Sequence, residues 1–116
     1  LWDAAGFFRL PTRGIFERLA EARREGEDPA RLAATFHAML AASVVAGCQR
    51  AREATGLSTA ALSGGVFQNR LLLRLVTEGL VHHGFTVLRH HLVPPNDGGL
   101  ALGQAVHALR CFRLGA

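Results

Sequence analysis

Two glycine-rich turns constrain this chain more than any other feature. Ser63-Gly64-Gly65 and Pro94-Pro95-Asn96-Asp97-Gly98-Gly99 each stand between a short apolar run and a helical pattern. The first run, 58–62, reads as a buried strand, and the second, 85–90, as another. After the first turn Phe67, Leu71, Leu75 and Val76 recur on one helical face, ending near Gly84. After the second, Leu102, Val106 and Leu109 are expected to face inward from a helix over 99–112. Residues 57–116 therefore read as a βαβα unit. In such a unit the strands are parallel with a right-handed crossover. Both turns then emerge at the carboxyl ends of the strands, where ligands bind in open parallel sheets. Parallel strands need cover on both faces. Two strands and four helices make only a narrow sheet, so the remaining strands are expected in a segment beyond this chain. A chain with such an open edge is expected to be weakly stable or to associate with itself.

Residues 1–56 read as a helical lead-in. Residues 1–11 are expected to be irregular. Thr12 is expected to cap a helix running to about Glu25, with charges of alternating sign and a stop at Gly26. Asp28-Pro29 marks a restart, since Asp caps a helix and Pro suits its first turn. A long helix to about Ala54 follows, with Leu32, Phe36, Met39, Leu40 and Val44 as its buried stripe. Small residues, among them Ala38, Ala41, Ala42 and Gly47, fill its other positions and would let a neighbour pack close. Gly56 ends it.

Composition narrows the chemistry. Of the 116 residues, 49% are hydrophobic and 19% charged, so a packed core is within reach and disorder is not expected. All 13 basic residues are Arg, which removes any Lys-dependent step from this chain, a P-loop or Schiff base included. No apolar run approaches the ~18 residues of a membrane span, and Leu1-Trp2-Asp3 opens no secretory leader, so a cytoplasmic piece of something longer is expected. Cys48 and Cys111 form no CxxC pair, which fits a reducing compartment. Residues 57–116 carry five Arg against Glu78 and Asp97 alone, a net of +3 that favours an anion. The Arg residues are too scattered, with too few aromatics among them, to favour nucleic acid.

Candidate site residues lie in the two turns. Glycines between a strand and a helix let backbone amides approach a phosphate, helped by the helix dipole. They also serve simply to make a tight turn. Asn69, one turn beyond Gly65, is placed to reach a base or ribose at the same mouth. Asp97 suits a metal ligand or a metal–nucleotide contact, and equally a helix cap. The pairs His82-His83 and His90-His91 chelate poorly because neighbouring residues diverge, and His37 and His107 read as packing or surface residues. Both cysteines read as small buried hydrophobes.

The stretches from Leu62 to Leu71 and from Val93 to Gln104, at their mutual spacing, resemble the C-terminal end of the HypF carbamoyltransferases of nickel–iron hydrogenase maturation. Arg31 to His37 resembles the helix ahead of that family's glycine loop. The resemblance covers roughly residues 28–110. It implies an α/β fold, the C-terminal half-lobe of an actin/Hsp70-like ATPase domain that is shared with tRNA threonylcarbamoyl transferases. It also implies ATP, carbamoyl phosphate and a divalent metal, zinc or iron, as cofactors and substrates. The carbamoyl group would pass through a carbamoyl-adenylate to the C-terminal cysteine of the partner HypE and become a cyanide ligand. Carried over by position, Gly64, Gly65 and Val66 would line the nucleotide site, Asn69 would contact the adenosine, and Asp97 would bind the metal. The family's His-x-x-x-His metal ligands do not occur in this sequence, so the chain alone is expected to be an inactive part of that enzyme. The alternatives are a tRNA-modifying relative and a non-catalytic helical adaptor, in which Gly64, Gly65 and Asp97 only shape the chain.

Overall fold

A computed structural model describes residues 12–113; the expected irregular segment 1–11 lies outside the described residues. The order is α1 (Thr12–Arg24), α2 (Pro29–Thr55), β1 (Thr59–Leu62), a 3-10 turn (Gly65–Gln68), α3 (Arg70–His82), β2 (Thr86–Arg89), a second 3-10 turn (Asp97–Gly99) and α4 (Leu100–Arg113). Thr12, expected as a cap, already lies within α1. α2 starts as its sequence requires: the Asp28 carboxylate accepts from the Arg31 amide at 3.1 Å, with Pro29 in the first turn. It ends at Gly56, whose φ of 74° is left-handed and whose amide donates to the Arg52 carbonyl.

β1 and β2 pair in parallel, Thr59 opposite Thr86 through Leu62 opposite Arg89. The expected βαβ unit is therefore present. Helices cover one face of this two-stranded sheet. Leu62 and Phe85 are buried there, with Ala60 and Val87 packed against the same cluster. Ala61 and Leu88 point to the other face and stay exposed.

The core lies where α2 crosses α3. Leu72, Val76 and Leu80 of α3 meet Ala41 and Val45 of α2, and Val76 and Leu80 are fully buried. Of the expected stripe on α2, Leu40 and Val44 pack against this core, but the whole stripe is only half-buried. The contact face is turned toward Ala41 and Val45 because Gly79 lets the two backbones approach. A Cβ at Gly79 would lie 2.8 Å from Val45 Cγ2. On α3 the buried face likewise runs through Leu72 rather than Leu71, which is exposed. Arg52 closes the end of this layer. Its guanidinium sits 4.3 Å from the Phe85 ring centre and donates to the His83 carbonyl at 2.7 Å.

Two further sequence expectations fail here. Leu102, Val106 and Leu109 do not face inward: each is more than half exposed, and α4 buries no residue. The described chain offers no surface for that stripe to cover. The radius of gyration of 17.6 Å against about 13 Å for a compact domain of this length shows the same shortage of enclosing structure. Second, α2 is long and apolar enough, by length and composition, to cross a membrane, with a mean hydropathy of 1.4 over its best window. Ala-rich stretches raise the mean without making an unbroken apolar run. Here α2 packs on α3 through Ala41 and Val45.

Candidate functional site

The two glycine turns meet. β1 and β2 run parallel, so the segments after Leu62 and after Arg89 leave the sheet at the same edge. The Gly64 amide donates to the Pro95 carbonyl at 2.7 Å, tying one turn to the other. Gly64, His90, Asn96, Asp97 and His107 line one hollow of about 460 Å³ between the turns and the start of α4. Gly65, Val66 and Asn69 lie outside its lining.

The glycines differ in kind. Gly64 has φ 102° and ψ 155°, a region essentially closed to other residues. Its amide is already committed to Pro95. At Gly99 an added Cβ would come within 2.9 Å of the Pro94 carbonyl oxygen. These two shape the turns. Gly65 has ordinary φ, and its Cβ would meet nothing closer than Asn96 Cβ at 3.9 Å. The turn itself does not require Gly65. Gly65 and Val66 open the 3-10 turn, so their amides have no acceptor within it.

Asp97 is not the cap of its turn. Asn96 is: its side-chain oxygen accepts from the Gly98 amide at 3.0 Å. The Asp97 carboxylate is exposed and at the positive end of the turn. Among the described residues no three His, Cys, Asp or Glu side chains gather to hold a cation. Asp97 could offer one ligand, and the described residues alone do not make a metal site.

Asn69 caps α3, its side-chain oxygen accepting from the Leu72 amide at 3.1 Å. Its Nδ2 donates to His37 Nε2 at 2.8 Å. His37 Nδ1 then donates to the Ala33 carbonyl at 2.7 Å, which defines the neutral Nδ1–H tautomer. His37 is thus a positioning partner of Asn69, a role its lone place on α2 did not reveal. Ser63 and His90 form a second pair, Oγ to Nε2 at 2.9 Å, at the rim of the hollow. Nothing in the local sequence joins residues 27 or 32 apart; only the parallel strands and the α2–α3 crossing do. Burial pushes the half-buried Cys48 thiol up, as expected of a packing residue.

A parallel βαβ unit whose two glycine turns close on one hollow defines an α/β subdomain, with the hollow at the sheet edge where such folds bind ligands. Residues 3–104 match the family described as carbamoyltransferase, Kae1-like domain, second subdomain. The chain is 42% identical over 92 residues to carbamoyltransferase HypF2 of Cupriavidus necator, covering 79% of this chain and 11% of that protein. A carbamoyltransferase HypF homolog of the same organism is 42% identical over 103 residues, covering 87% of this chain and 26% of that protein. Carbamoyltransferase HypF of Rhodobacter capsulatus is 43% identical over 94 residues, covering 81% and 12%. The crystal structure of full-length HypF in the phosphate- and nucleotide-bound form superposes with a TM-score of 0.80 at 38% identity, over 83% of this chain and 13% of that one. The chain belongs to the HypF carbamoyltransferase family. It spans between about a tenth and a quarter of the length of these relatives.

Proposed function

We propose that this chain is the nucleotide- and metal-facing part of a longer HypF-type carbamoyltransferase, the C-terminal half-lobe of an actin/Hsp70-like domain. The longer enzyme uses carbamoyl phosphate and ATP and delivers the carbamoyl group to the C-terminal cysteine of HypE in the cytoplasm. The observation that carries this reading is the junction of the Gly64 and Asp97 turns around one hollow at the carboxyl ends of parallel strands, with Gly65 and Val66 following Gly64 just outside its lining. The similar full-length HypF was solved with phosphate and nucleotide bound. In this reading the Gly65 and Val66 amides approach phosphate, Asn69 contacts the adenosine from a position held by His37, and Asp97 contributes one metal ligand. The other ligands come from the rest of the longer enzyme, so the isolated chain is inactive. The adaptor alternative leaves Gly65 without a reason, since the turn tolerates a side chain there.

Two substitutions in the longer enzyme test this. Because Asn96 rather than Asp97 caps the turn, Asp97→Ala should change stability by under about 0.5 kcal/mol while lowering metal content and abolishing single-turnover carbamoylation of the acceptor cysteine. Gly65→Ala should also leave the fold unchanged but weaken ATP binding in a calorimetric titration. Wild-type metal content, ATP affinity and transfer in both folded variants would remove these residues from the site.

A further inference from the structure

A second hollow, of about 730 Å³, lies between the outer face of α3 and the end of β2. It shares no lining residue with the Gly64–Asp97 hollow. Three of its lining residues are arginines: Arg70, Arg74 and Arg89. Arg70 and Arg74 sit one turn apart on α3, and Arg89 ends β2 on the face shared with the half-buried Val87. Among the described residues neither Arg70 nor Arg89 has an acidic partner within ion-pairing distance. Arg74 lies 3.9 Å from Glu78, well beyond the ~2.7–2.9 Å of a charge-assisted hydrogen bond. Leu71 and Leu73 flank the arginines on either side of α3, and the Thr77 hydroxyl in the lining is buried with no hydrogen-bond partner.

We propose that Arg70, Arg74 and Arg89 form a docking cleft for an acidic, extended peptide segment of a partner protein. The spacing favours a peptide over a single oxyanion. Residues i and i+4 of a helix rise about 6 Å along the axis, and alternate side chains of an extended strand stand about 6.6–6.8 Å apart. Carboxylates at every second position of the peptide therefore match the Arg70–Arg74 spacing, with Arg89 of β2 lining the same cleft. Each guanidinium fork can donate two parallel hydrogen bonds to a carboxylate. The net charge of residues 57–116 points the same way, with Glu78 the one acid in the lining of the cleft among the described residues.

The test is fluorescence anisotropy of the full chain with a labelled peptide bearing glutamate at every second position, at low salt. The matched peptide bears glutamine at those positions. The glutamate peptide should bind saturably and the glutamine peptide should not. Arg74→Gln and Arg89→Gln should each weaken binding by about fivefold, the upper range for an exposed ion pair, and reduce its salt dependence. Glu78→Gln should tighten binding about twofold, for the same reason with opposite sign; loss of fold cannot mimic that gain. Inorganic phosphate at equal concentration should not displace the peptide. The proposal is overturned by no binding at millimolar peptide, equal binding of the glutamine peptide, unchanged affinity in both Arg variants, or displacement by phosphate.

Discussion

α3 and α4 carry similar sequence patterns and meet different fates. Each follows a glycine turn, and each spaces Leu and Val residues on one face. α3 buries Leu72, Val76 and Leu80. α4 buries nothing, and Phe112 at its end is 90% exposed. The difference lies in the surface each helix meets. α3 lies against both α2 and the sheet, while α4 contacts chiefly the turn that precedes it. An amphipathic stripe states that a helix has something to cover; it does not supply the surface. If the proposed function is right, the surface for α4 and for the bare face of the sheet belongs to the longer enzyme.

The comparison can be broken first at its strongest point. Leu80 is fully buried, so Leu80→Ala should cost about 2–5 kcal/mol. Urea unfolding followed by circular dichroism measures it, and a loss under 1 kcal/mol would mean that the α2–α3 layer is not the core. Gly79→Ala should cost about 1–3 kcal/mol by overpacking, because its new Cβ would press on Val45. Val45→Ala made in the same molecule should recover part of that loss, and a double-mutant cycle reads the coupling; strict additivity would show that the helices do not meet there. Leu109→Ala is the smallest effect. In this chain it should shift stability by under about 0.5 kcal/mol, as for other surface positions. The same change in the longer enzyme should cost several times more if α4 is covered there.

The local elements were legible where a chemical signal stood at their ends. Asp28-Pro29 and Gly56 bound α2 in the sequence and in the structure. The parallel pairing of β1 and β2 was likewise readable, because a helix between two short apolar runs leaves few other topologies. The faces were less legible. On α2 the largest residues suggested the stripe, and Leu40 and Val44 do pack on the core, yet the buried centre of the contact is Ala41 and Val45, where Gly79 lets the backbones approach. At the candidate site the turns and their glycines were visible. The division of labour within them was not: Asn96 rather than Asp97 makes the cap, and Gly64 rather than Gly65 has the backbone that demands glycine.

The sequence by itself determined the order of helices and strands, the two turns and the family, since caps, glycines and apolar spacing act over a few residues. Tertiary structure decided which apolar residues are buried, that Asn69 leans on His37 and Ser63 on His90, and that three arginines from α3 and β2 share a cleft. Those outcomes depend on how closely two elements approach and at what rotation. These quantities are set by packing between residues far apart in the chain, and no local pattern encodes them.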